Sequence, residues 1–121
     1  MAKGDDIEER LVDFAVRVVD LCDNMPKTRG SNHLAGQLLR SGTSPAAHYA
    51  EARGAESIDD FVHKMKLCLK ELNESSVWLK IITGCKRLPP TRLGPITQEC
   101  GELCRIVNAS VKTADTRRQK R

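Results

Sequence analysis

From Ser57 to Gly84 the chain runs for about 27 residues with no glycine or proline inside the stretch. As a helix rising 1.5 Å per residue, such a segment is about 40 Å long. Its apolar residues fall on two seams, Ile58-Val62-Met65-Leu69-Leu72-Leu79 and Phe61-Met65-Cys68-Leu72-Leu79-Ile82. Together they make a face too broad for one neighbour, so this helix is expected to pack against at least two others. Ser57-Ile58-Asp59-Asp60 supplies its start, with a hydroxyl to cap the first turn and carboxylates that suit the helix macrodipole.

Three further amphipathic segments surround it. Asp5 or Asp6 is positioned to cap a first helix in which Leu11, Phe14, Ala15, Val18, Leu21 and Cys22 recur on one face, and Pro26 marks its end. Lys27-Thr28-Arg29-Gly30 reads as a loop, after which Ser31 or Asn32 caps a second helix running to about Arg53-Gly54. Pro45 lies inside that helix, where the missing N–H and the ring predict a kink near Ser41 to Pro45. Beyond Pro89-Pro90 a fourth helix is expected from about Thr91 or Pro95, turning Ile96, Cys100, Leu103, Cys104, Val107 and Val111 inward. Four such segments joined by short loops predict an all-α fold, an antiparallel up-down-up-down four-helix bundle. It forms a single domain over residues 1–115 with a basic C-terminal tail over 116–121.

With 121 residues the chain is long enough to bury a core without help from metal or disulfide. Hydrophobic residues make up 40% and aromatics only 3%, so aliphatic side chains must fill that core, a palette that favours helix over sheet. The five cysteines are an odd number without a Cys-x-x-Cys pair, and read as reduced core thiols of a cytoplasmic protein. The N-terminus leads into charge, and nowhere do 18 apolar residues run together, so neither a secretory signal nor a membrane partner is expected.

The net charge of +4 sits entirely in residues 112–121, which hold five basic groups against Asp115. The other 111 residues are neutral but unevenly charged: residues 1–25 carry three basic and seven acidic groups, residues 64–92 seven basic and two acidic.

Two separated motifs carry a family resemblance. The run Arg40-Ser41-Gly42-Thr43-Ser44-Pro45-Ala46-Ala47-His48-Tyr49-Ala50-Glu51-Ala52 resembles the Arg-Ser-x-x-Ser-x-x-x-Asn-Ile-Ala-Glu-Gly pattern of the bacterial four-helix bundle family encoded in intervening sequences of large-subunit ribosomal RNA genes. Asp60-Phe61, Lys70-Glu71, Glu74 and Trp78-Leu79 are similar to a second stretch of that family. The chain departs from the pattern at His48, Tyr49 and Ala52, where the family has Asn, an aliphatic residue and Gly. The resemblance, over roughly residues 7 to 113, implies a four-helix protomer assembled as a ring-shaped homopentamer, a nucleic-acid-binding role, and kinship with accessory proteins of diversity-generating retroelements.

Read from the residues themselves, Gln37, Ser41, Ser44, His48 and Glu51 form a polar stripe on the second helix, flanked by Arg40. Glu71, Glu74 and Trp78 share a face of the third, and Arg40 is expected to pair with Glu71 or Glu74 in a structural network. Ser44, His48 and Glu51 imitate a hydrolase triad, but a continuous helix has already used the amides an oxyanion hole needs. His48-x-x-Glu51, Glu71-x-x-Glu74 and Glu99-x-x-Glu102 imitate a di-metal site, yet lack the Glu-x-x-His such sites use. No catalytic residue, cofactor, metal or small-molecule substrate is therefore expected.

The residues that remain are basic. Lys64, Lys66, Lys70, Lys80, Lys86, Arg87 and Arg92 form a candidate track for phosphates on the polar back of the third helix and beyond, with Arg117 and Arg118 adding a contact from the tail. The expected function is a non-enzymatic oligomer of this chain with itself that contacts RNA or DNA backbone or assists a nucleic-acid enzyme. The alternatives are a protein-binding scaffold and, behind it, a metal-dependent oxidase.

Overall fold

Ser57 Oγ accepts a hydrogen bond from the Asp60 amide at 3.0 Å and opens α3, Ile58–Gly84, with the bounds its sequence predicts. The computed structural model describes residues 3–120, and among these α1 (Lys3–Asp23), α2 (Arg29–Arg53) and α4 (Pro90–Gln119) complete an all-α fold without strands. None of these helices is long and apolar enough to cross a membrane.

The apolar seams of α3 both turn inward. Met65, Cys68, Leu72, Leu79 and Ile82 are buried in one continuous core with Leu11, Phe14 and Val18 of α1, Leu38 and Tyr49 of α2, and Leu103 and Val107 of α4. As the breadth of its apolar face requires, α3 packs against both α2 and α4, most extensively against α2. Helix α1 packs well on α2 but only sparingly on α4, and among the described residues its backbone stays more than 8 Å from that of α3, Cα to Cα.

Small residues on α2 set how closely its neighbours approach. Ser41, Gly42 and Pro45 are buried, and a Cβ on Gly42 would lie 2.8 Å from Val18 Cγ2 and 2.9 Å from Val18 Cγ1. On the side facing α3, Ser41 Oγ and Ser75 Oγ lie 2.9 Å apart, both residues fully buried, and Ser75 also donates to the Glu71 carbonyl. That pairing lets two hydroxyls enter the core without stranding a hydrogen-bonding group. The helix carries Pro45 without a break in its assigned length.

Three boundaries differ from the sequence expectation, the first being that α1 begins at Lys3, so Asp5 and Asp6 lie in its first turn and do not cap it. Thr28, not Ser31 or Asn32, caps α2: its backbone is extended and its Oγ1 accepts from the Ser31 amide at 3.2 Å. Helix α2 therefore begins at Arg29, and Ser31 becomes a fully buried residue of its first turn. At the other terminus α4 continues to Gln119, so most of the segment read as a tail is helix. Arg118 anchors it by donating to Asp115 at 2.6 Å, with Asp59 at 3.9 Å. Arg121, also assigned to the tail, lies outside the described residues.

The α3 C-terminus ends on Lys86 in the left-handed region, φ 55°, with the Arg87 amide returning to the Ile82 carbonyl at 3.3 Å. A residue with a Cβ occupies a position that glycine fills at lower cost.

Candidate nucleic-acid interface

Arg40 bridges α2 to α3 as its spacing predicts, but at the rim of the core. Its Nη1 donates to Glu71 Oε2 at 2.9 Å and its Nη2 to Glu74 Oε1, while Trp78 Nε1 donates to the same Glu74 oxygen at 3.2 Å. The Arg40 side chain is 49% exposed and that of Glu71 only 12%, so water screens the arginine more than its partner. His33 meets the edge of the Trp78 ring at 6.1 Å between centroids.

Of the polar stripe, Ser41 reaches α3 through Ser75, while Ser44, His48 and Glu51 do not join this network. Ser44 Oγ donates to the Arg40 carbonyl at 2.7 Å, one turn back on its own helix, so the hydroxyl is committed to the backbone. His48 Nδ1 lies 3.8 Å from Glu51 Oε1, and Glu51 is exposed and takes Lys64 at 3.3 Å. Ser44, His48 and Glu51 therefore share a helix face without forming a hydrogen-bonded relay. The paired carboxylates are likewise divided among arginines: Glu71 and Glu74 face Arg40, while Glu99 and Glu102 face Arg10, whose Nη2 donates to Glu99 Oε1 at 2.6 Å. Among the described residues no three His, Cys, Asp or Glu side chains gather as a metal-holding group.

Four of the five cysteines line or flank the core, and Cys85 is exposed. Burial pushes the thiols of Cys22 and Cys68 up to about 11 and about 12. Cys100 and Cys104 lie side by side on α4, where the hydrogen bond between them raises Cys100 and lowers Cys104, so Cys104 ionises first.

The fold divides the basic residues into two groups. Near the start of α3 and the end of α4, positive charge meets negative: Lys64 pairs with Glu51 at 3.3 Å, Lys66 with Asp115 at 3.5 Å, and Arg118 with Asp115 and Asp59. Arg117 is exposed there, on the wall of a cavity of about 910 Å³ between the start of α1 and the end of α4. The cavity opens where α1 and α4 make little contact, and Ile7, Tyr49, Phe61 and Ile106 contribute its apolar lining.

At the opposite end the balance is reversed. Arg92, in the first turn of α4, reaches Asp20 in the last turn of α1 at 3.3 Å. The Arg87 guanidinium lies over the first turn of α2, its Nη2 3.6 Å from where a Gly30 Cβ would stand. The Arg87 contact brings the loop before α4, which also carries Lys86, against the start of α2, where Lys27 and Arg29 precede Gly30 in sequence. Asp20 and Asp23 are the acidic residues of the adjoining turn, and Asp20 is engaged by Arg92 and by Asn24. Lys70 sits exposed midway along α3, between the two groups.

Lys27 and Arg29 are the members that sequence reasoning missed. Both lie in the segment read as a loop, 51 or more residues before Lys80, and local charge counting does not link positions so far apart. The available signal was that α2 opens without an acidic residue in its first turn.

With this geometry in view, the comparisons with known proteins are specific. The family model described as 23S rRNA-intervening sequence protein matches residues 5–109. Among solved structures, the chain is similar to a protein of unknown function from the S23 ribosomal protein family of Bacteroides thetaiotaomicron VPI-5482. The TM-score is 0.84 and the sequence identity 29%, covering 92% of this chain and 99% of that one. No curated protein matches.

Proposed function

Because the chain belongs to the 23S rRNA-intervening sequence protein family, we propose that it is a non-enzymatic helical-bundle protein that binds the phosphate backbone of RNA or DNA, directly or as accessory to a nucleic-acid enzyme. The observation that carries this reading is the basic end. Arg87, beside Lys86 in the loop before α4, comes to rest against Gly30 at the start of α2, next in sequence to Lys27 and Arg29, while Lys64, Lys66 and Arg118 are matched with carboxylates elsewhere. Unmatched cations attract a polyanion without reading its bases. The aromatic side chains Phe14, Tyr49, Phe61 and Trp78 are drawn into or against the core, which disfavours base stacking.

The test is a binding titration of the full chain with single-stranded RNA and duplex DNA at several salt concentrations. Each phosphate contact contributes a slope of about −0.7 to −0.9 to log K against log salt. Lys86→Glu/Arg87→Glu is expected to weaken binding and flatten that slope, and Lys66→Glu/Lys70→Glu to have the smaller effect. Absence of binding by the unaltered chain at low salt overturns the reading.

In the same proposal the helices alternate in direction, up-down-up-down, and copies of the chain assemble into a ring, with a pentamer favoured. Arg53 at the end of α2 reaching Asp5 and Glu8 near the start of α1, and Arg92 reaching Asp20, support the alternation. Exposed apolar side chains support the assembly. Val12, Val16 and Val19 recur on α1 at i, i+4 and i+7, and Val77 and Ile81 on α3, a helix that does not neighbour α1 backbone to backbone. Two different patches on different helices suit the head-to-tail contact that closes rings. Light scattering at the protomer mass of 13.4 kDa overturns it.

The same valine stripe favours the second reading, a protein-binding scaffold. Nucleic-acid affinity that is absent while the chain still assembles would select it.

A further inference from the structure

We infer that the cleft between the start of α1 and the end of α4 binds a small amphipathic carboxylate, an apolar chain with one carboxylate group at its end. The site lies at the opposite end of the bundle from Lys86 and Arg87 and is independent of nucleic-acid binding there.

Helix α3 closes against α2 and α4, and α1 closes against α2, but α1 and α4 meet only sparingly. The open edge therefore leaves apolar side chains of three helices facing a common space. Ile7 of α1, Ile58 and Phe61 of α3 and Ile106 of α4 line this cavity of about 910 Å³. That volume falls within the range of about 300–1,000 Å³ found for small-ligand sites, which are mostly apolar with a few polar groups that orient the ligand. Along α4 the lining runs from Ile106 to Arg117, roughly 16 Å at 1.5 Å per residue, enough for an extended chain.

Two donors in the lining lack acceptors. Tyr49 of α2 is only 6% exposed and lines the cavity, yet its hydroxyl makes no hydrogen bond among the described residues. A tyrosine so deeply buried ordinarily finds a partner for that group. Burial raises its pKa above the ordinary value, so at neutral pH the hydroxyl keeps its proton and calls for an acceptor. The second donor is Arg117, whose guanidinium meets no carboxylate among the described residues, whereas Arg118 beside it holds Asp115 at 2.6 Å.

Arg10 and Ser110, also in the lining, are already engaged: Arg10 donates to Glu99 at 2.6 Å and Ser110 to the Ile106 carbonyl at 3.2 Å. Asp6, exposed on the α1 rim, forms an ion pair with neither Arg10 nor Arg117, and its charge at the mouth disfavours a phosphate dianion or a polyanion. A carboxylate brings a single charge and two acceptor oxygens, and the chain behind it covers Ile7, Phe61 and Ile106.

The test titrates the full chain with decanoate by calorimetry, with decyltrimethylammonium as the same chain carrying the opposite charge. Saturable binding of one decanoate per chain is expected. Tyr49→Phe, which keeps the ring and removes only the hydroxyl, is expected to weaken it about tenfold, and Arg117→Gln, at an exposed position, about threefold. Absence of saturable binding, or binding that both substitutions leave unchanged, overturns the site. Equal affinity for decyltrimethylammonium overturns the carboxylate assignment. Light scattering on the same samples reads the competing occupant: if decanoate binds only as assemblies come apart, the cleft belongs to a second copy of the chain and the small-molecule site is overturned.

Discussion

Arg40 of α2 holds Glu71 and Glu74 of α3 with the two arms of one guanidinium, 2.9 Å from Glu71 Oε2 on the first arm. The partners are one turn apart on α3, so the fork fixes the rotation of one helix against the other. Because Arg40 is half exposed, the bridge is worth far less than a fully buried pair. Arg40→Ala is expected to cost about 1 kcal/mol, since it strands the poorly exposed Glu71. Thermal melts by circular dichroism check this, with a fall of roughly 3–6 °C expected. An unchanged midpoint would show that solvent replaces the arginine at no cost.

Two glycines of α2 are expected to respond in opposite directions to the same change. At Gly42 a methyl would press on Val18, whose stiff β-branched side chain is fully buried. Gly42→Ala is therefore expected to destabilise by about 1–3 kcal/mol, outweighing its gain in helix propensity. Gly36 has nothing within 4 Å of its added Cβ and is exposed, so Gly36→Ala is expected to stabilise by about 0.5–1 kcal/mol. Denaturant unfolding of both variants is the measurement, and equal signs would contradict the packing described for α1 against α2.

Lys86→Gly is expected to raise stability by about 1 kcal/mol, because the backbone at φ 55° disfavours any side chain with a Cβ. The same substitution removes one charge from the basic end. Stability and nucleic-acid affinity should then move in opposite directions, which a melt and a binding titration on one variant will read together.

Buried thiols set a limit on the alkaline side. Cys22 and Cys68 have folded values raised by burial to about 11 and about 12, against an ordinary 9.0. The folded chain therefore holds their protons more tightly than the unfolded chain. That contribution to stability is fully present below pH 9 and is lost as pH rises toward the folded values. The melting temperature is expected to fall between about pH 9 and 11, less steeply in Cys68→Ala, and a flat profile over that window would refute it.

Thiol labelling at neutral pH should separate the cysteines by environment. Exposed Cys85 is expected to react first and half-buried Cys104, the more readily ionised member of its pair, next. Cys22, Cys68 and Cys100 are expected to wait for unfolding, and mass-spectrometric mapping of the labelled sites gives the order.

The helices and their inward residues were legible in the linear chain because helical periodicity is a local property. The α3 seams, the Ser57 cap and the reach from Arg40 to Glu71 and Glu74 each follow from spacing within one or two segments. The start of α2 was less legible, since Thr28, Ser31 and Asn32 are all competent caps and only the packed position of Ser31 in the core selects Thr28. Charge partnership was not legible at all. Lys66 and Arg87 look alike in the sequence, yet α4 brings Asp115 to the first, while the second comes to rest against the unacidic start of α2. Coulomb attraction acts through space and fades within about 10 Å in salt, so only the folding of distant segments against each other decides which cations are neutralised and which stay open to a partner.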